Sequence, residues 1–187
     1  MGGVAFLTCR GGWPKAVGQP KELVLQQAPD YVDAVVEFDI SRVNGVRRDP
    51  ERVCMLMRSY ARMTASQGSY ETMLRDVAKS GLSFGRTSFL EYVAALKRLF
   101  VTDDLGAWSP NLRAKEDIRT SPTRHFVDPS IATAALGAGP GDLMGDLNTF
   151  GLVFESLCVS SQSECDVKIC VVFALEASYD SSRMRGG

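Results

Sequence analysis

The stretch SYETMLRDVAKSGLSFGRTSFLEYVAALKRLF, residues 69–100, decides how the chain is read. Ser69 can cap a helix whose inward stripe is Tyr70, Met73, Leu74, Val77 and Ala78, spaced three and four apart. Gly81 is placed to end it, because glycine accepts the left-handed backbone that closes a helix C-terminus. Ser83 then caps a second helix, with Phe89, Val93, Leu96 and Phe100 facing inward. Two short helices joined by a tight glycine turn are the pattern of a helix-turn-helix, a pattern other helical hairpins share.

Beyond this pair the chain turns extended. Residues 99–101 are apolar, Asp103, Asp104 and Gly106 make a turn, and Ala107 and Trp108 resume a strand. His125, Phe126 and Val127 read as a second short strand. A basic loop holding Arg113, Lys115, Arg119 and Arg124 joins the two, which together describe a wing. Asp128 and Pro129 open a short helix to about Leu136, residues 137–141 form a break, and a last helix spans about 142–159. Its apolar residues are Leu143, Leu147, Phe150, Phe154 and Leu157. Residues 160–163 are polar, 167–175 are strand-prone, and 178–187 have a disordered composition.

Towards the N-terminus the strongest signal is Asp49-Pro50-Glu51, a cap, a proline at the first helical position and an acid in the first turn. It opens a helix with Val53, Leu56, Met57, Tyr60 and Ala61 on one face and Arg52, Arg58 and Arg62 around the other. Before it, Val32, Val35, Val36 and Ile40 recur at helical spacing from Asp30 to about Ser41, and Asn44-Gly45 marks a turn. Residues 20–28 form a short helix that Pro29 ends or restarts. The opening reads as loop, dominated by Gly11-Gly12-Trp13-Pro14.

The fold class expected is therefore mainly α with a small β component. A helical segment (1–45) is followed by a winged helix-turn-helix (46–140), one further helix (141–159) and an atypical, poorly packed tail (160–187). With 45% apolar residues, a packed core is expected throughout the rest. A formal net charge of −1 means that any nucleic-acid contact must rest on a local patch. No apolar run is long enough to span a bilayer, and no signal-peptide pattern opens the chain. Five cysteines without paired spacing point to a reducing compartment, the cytoplasm.

Several separated motifs, taken in order, look familiar. Gly11-Gly12-Trp13-Pro14 resembles the Gly-Gly-aromatic-Pro signature in the small helical part of bacterial AAA-type ATPases. Tyr31-Val32-Asp33, Arg48-Asp49-Pro50 and residues 56–62 are similar to the start of the uncharacterised domain those proteins carry at their C-terminus. Residues 87–99 resemble its second helix-turn-helix helix, His125-Phe126-Val127-Asp128-Pro129 its strand-to-helix turn, and Phe150-Gly151 with Phe154-Glu155 its next helix. The resemblance covers residues 6–159. It implies a non-catalytic C-terminal fragment of an ATP-binding protein, whose ATPase core lies upstream. The chain holds no Gly-x-x-x-x-Gly-Lys-Ser/Thr loop, so no nucleotide cofactor is expected. The family continues into a restriction-endonuclease-like sheet, which residue 160 onward does not resemble; a frameshift or truncated frame would produce that abrupt change.

Two functional readings follow. In a DNA-binding winged helix, Arg86, Thr87, Ser88 and Glu91 would meet base edges, with Arg113, Lys115 and Arg119 on phosphates. The same face could instead dock a protein. The alternative is the remnant of a metal-dependent nuclease, in which Glu155 would act with an echo of a metal-binding pattern at Asp166-Val167-Lys168. His125, the single histidine, has no partner for a triad or a metal site, and Cys165 and Cys170 lack further ligands for zinc. Neither a catalytic residue nor a metal is expected.

Overall fold

The computed structural model describes residues 1–106 and 121–163, with side chains through residue 160. Its helices are α1 (Gly2–Arg10), α2 (Lys21–Ala34), α3 (Ile40–Arg42), α4 (Pro50–Arg62), α5 (Tyr70–Ala78), α6 (Arg86–Arg98), α7 (Pro129–Leu136), α8 (Pro140–Gly145) and α9 (Leu147–Ser163). The described chain is mainly helical. Its only β pairing is in isolated bridges: Thr102 with Phe126 and Leu105 with Thr123, both antiparallel, and Thr64 with Arg124.

Local chemistry sets most helix starts. The Asp49 carboxylate accepts from the Glu51 amide at 3.0 Å, ahead of Pro50. Ser69 Oγ accepts from the Thr72 amide at 3.1 Å, and Asp128 from the Ser130 amide at 2.8 Å. Each satisfies an N–H that the first helical turn leaves without a backbone partner. At the other end of α7, Gly137 takes the left-handed conformation, φ 70°.

The principal core joins the long N-terminal helix to the middle of the chain. Val32, Val35, Val36 and Ile40 pack with Val53, Leu56, Met57 and Tyr60 of α4, Phe89, Val93 and Leu96 of α6, and Ile131 and Ala132 of α7. Residues on both sides of position 45 thus share one apolar cluster. A second, much smaller cluster holds Ala5 and Cys9 of α1 with Leu143 of α8, flanked by Leu25 and Phe150.

Several expectations are corrected. Residues 2–10 are not loop: α1 is helical to Arg10, and the turn expected at Gly11-Gly12 follows it, with Gly11 at φ 69°. The sequence of α1 shows no polar stripe because the helix packs against α2, α7, α8 and α9. Pro29 neither ends nor restarts a helix. It lies inside α2, which runs through a π-helical turn (Val35–Asp39) into α3. A proline there forfeits one hydrogen bond to the fourth preceding carbonyl, and burial of Ala28 and Val32 on either side holds the helix together regardless.

Ser83 does not cap α6; Gly85 stands at that position. The reason is Phe84, whose ring packs edge-on against Phe89 and Tyr92, at 5.8 and 5.2 Å between centroids. That contact goes with a helix start two residues later than a serine cap would place it. Phe100 faces solvent, 77% exposed, rather than the core. It adopts φ 53° while its amide reaches Lys97 O and the Val101 amide reaches Leu96 O. This is a Schellman closure with phenylalanine where glycine is usual. The last expected helix is two, since Asp146 interrupts it between α8 and α9. The strand expected at 99–101 is instead the closure of α6, the one expected at 125–127 is represented only by the bridge at Phe126, and the resumption at Ala107 and Trp108 lies outside the described residues.

Candidate nucleic-acid interface

The helix pair α5 and α6 presents the surface that the sequence singles out. Arg86 and Thr87 are exposed on the first turn of α6, Glu91 is exposed one turn on, and Ser88 is half-buried beside the core residue Phe89. Arg86 pairs across the turn with Glu71 of α5, both side chains more than half exposed. A solvent-screened pair of this kind contributes about 0–1 kcal/mol, so it orients Arg86 without locking it. Arg62 of α4 pairs with Asp76 of α5 at 2.8 Å. Burial of Asp76 works against its charge, but hydrogen bonds from Ser59 and Arg62 prevail and hold its carboxyl below the usual carboxylate range.

After α6 two extended segments meet. The Asp103 amide donates to His125 O at 2.9 Å, and Leu105 and Thr123 exchange both backbone bonds at 2.9 Å. Arg113, Lys115 and Arg119 belong to the stretch between them, which lies outside the described residues. Arg124, grouped with these in the basic loop, is placed differently. It is 4% exposed. Its Nη1 donates to Asp104 at 2.5 Å, its Nε donates to Gly68 O at 2.9 Å, and its guanidinium lies 4.3 Å from the Tyr70 ring. It therefore cannot meet a phosphate.

Asp104 is the hub of that arrangement. Tyr60 donates its hydroxyl to one carboxylate oxygen, and Arg124 and Lys97, the latter at 2.7 Å, hold the other. Burial, then the hydrogen bond to Asp104, push the Tyr60 hydroxyl far above its usual range. Burial works against the Lys97 ammonium, but the Asp104 contact prevails and raises it. One carboxylate thus ties α4, α6 and both extended segments together. Sequence reasoning missed this group: Asp104 was legible only as a turn residue and Tyr60 only as part of an apolar stripe.

A second junction joins two of the sequence motifs. The Gly12 amide donates to Asp128 Oδ2 at 2.7 Å, and Trp13 Nε1 donates to Ser130 Oγ at 2.9 Å. A side chain at Gly11 would stand 2.3 Å from Asp128 Oδ1 and 2.4 Å from Ser130 Oγ, so the backbone approach requires glycine. Asp128 thereby caps α7 and anchors the N-terminal turn.

His125 is buried, 3% exposed, and its Nδ1 lies 2.9 Å from Ser156 Oγ of α9. Burial lowers its pKa from the ordinary value, against the opposing pull of Glu155, Asp104 and Asp103. Glu155 is exposed on α9, and Asp166 and Lys168 lie outside the described residues, as do Cys165 and Cys170. Among the described residues, no three His, Cys, Asp or Glu side chains gather as a metal site would require. None of the helices described is long and apolar enough to cross a membrane.

Residues 2–142 match a domain of unknown function (DUF8612), and the chain belongs to that family. No curated protein and no solved structure matches the chain. The family span takes in the Gly11–Asp128 junction, the Asp104 hub and the α5–α6 surface, and it stops before α9.

Proposed function

We propose that residues 46–140 form a winged helix-turn-helix that binds duplex DNA weakly through the first turn of α6. The module would work as the non-catalytic C-terminal part of an AAA-type ATP-binding protein. The observation that carries the reading is the order of parts. Helix α4, a bridge at Thr64, α5, α6, and then two bridged segments flanking a basic stretch follow one another as in a winged helix. The approach of Gly11-Gly12-Trp13 to Asp128 and Ser130 supports the wider family resemblance, since two of its motifs meet in space. Protein docking by the same face is the second reading, favoured by the Arg86–Glu71 pair and the net charge of −1.

Fluorescence anisotropy with a labelled duplex of about 20 base pairs tests both. Affinity should fall as salt rises, because phosphate contacts release counterions. Arg86→Glu should weaken binding roughly tenfold, a loss of about 1.4 kcal/mol, and more than Arg58→Glu on α4. Glu71→Gln, which frees Arg86, should strengthen it. Affinity unchanged by Arg86→Glu and abolished by Arg58→Glu would overturn the assignment of α6. Wild-type protein that does not bind at low salt would turn the surface into a protein-docking one.

A further inference from the structure

The family domain ends at residue 142, yet the buried His125 inside it finds its partner on α9, outside it. Helix α9 is held by a narrow stripe. Phe150 reaches the small cluster of Ala5, Cys9 and Leu143, and Val153 and Ser156 are buried, whereas Leu147 and Phe154 are 60% and 42% exposed. The His125–Ser156 hydrogen bond adds to this stripe and joins α9 to a buried histidine of the family domain, while two large apolar side chains of the helix stay open to solvent. A cavity of about 280 Å³, lined by His125, Asp103, Leu105, Val127, Val159 and Ser160, lies beside the imidazole at the seam between α9 and the extended segments.

We propose that α9 is a strap latched on His125 and released when that imidazole takes up a proton, uncovering the segments around residues 101–105 and 123–127. In the docked state the ring is neutral and shares a hydrogen bond with Ser156. A buried imidazolium must give up its hydration, which a released helix restores. The charged groups facing the ring are Asp103 and Asp104 from the extended segment and Glu155 from α9. Asp104 is already held by Arg124 and Lys97, and α7, which packs against α9, carries no charged residue. Burial outweighs the three carboxylates and leaves the docked pKa below 6.5. The released state therefore binds the proton more readily, so docking is complete above about pH 6.5 and weakens as pH falls through that value.

Because the chain has one histidine, its imidazole Cε1–H signal in the full protein is unambiguous. The test is an NMR titration of that signal together with hydrogen exchange of α9, corrected for intrinsic rates, at pH 7.5 and 5.5. The expected result is a midpoint below 6.5, with α9 protection falling several-fold at the lower pH while α4 is unchanged. His125→Gln, which keeps hydrogen bonding and cannot take the proton, should show α9 protection independent of pH. A midpoint at or above 6.5, or wild-type α9 protection equal at both values, overturns the proposal. So does acid loss shared by α4, or retained in His125→Gln. The titration and exchange of the wild type decide the matter even if the variant does not fold.

Discussion

The two apolar clusters are built from the same residue types at very different scale. Around α4, large side chains such as Tyr60, Phe89, Leu56 and Met57 are completely buried, and one carboxylate ties three polar partners across the packing. Around α1 and α8, the buried set is Ala5, Cys9 and Leu143, with Phe150 only partly covered. Local stability is expected to follow that division, with the first region opening only on global unfolding and the second at lower cost.

The sharpest way to break the comparison is at its polar centre. Asp104→Ala leaves Arg124 buried with its carboxylate removed, which typically costs about 3–5 kcal/mol; chemical denaturation should show a lower midpoint in one cooperative transition. A loss under about 1 kcal/mol would mean that Arg124 finds water and that the hub is not structural.

In the smaller cluster, Leu143→Ala should cost about 2–3 kcal/mol and act locally. Cys9 reports it. Burial pushes its thiol pKa up to about 11, with the Thr133 hydrogen bond and the Asp142 charge as lesser influences, so alkylation at pH 7.5 should be slow in the wild type. Leu143→Ala should accelerate Cys9 labelling and leave the exposed Cys54 unchanged, as read by peptide mass mapping. Equal acceleration at both cysteines would show that the two clusters open together.

The smallest effect has the opposite sign. Phe100 closes α6 in a left-handed conformation that costs a non-glycine residue roughly 1–2 kcal/mol, and its exposed ring contributes little packing. Phe100→Gly should raise stability by about 0.5–1 kcal/mol, measured as a higher melting temperature. A fall would show that the ring covers apolar surface in the folded chain.

Periodicity made the middle of the fold legible. Val53, Leu56, Met57, Tyr60 and Ala61 are all buried, and Asp49, Ser69 and Asp128 all cap where their spacing implies. What failed to show were features set by packing alone. Helix α1 carries no polar stripe, Pro29 is absorbed by its neighbours, and Phe84 delays α6 by a contact that no local rule contains. The exposed candidates Arg86 and Thr87 were readable, because surface polarity at a helix start is a local property. Burial of Arg124 was not, since its partners are 20 and 56 residues away.

The joint between the N-terminal helices and the middle of the chain is closed by Arg48. Its guanidinium donates to the carbonyls of Ile40, Val43 and Val46 and lies 5.8 Å from the Tyr92 ring, while the Asp49 amide donates to the Tyr92 hydroxyl at 3.0 Å. An elbow braced in this way fixes the direction in which the chain enters α4 and ties the carbonyls that end α3 to the ring of Tyr92 on α6.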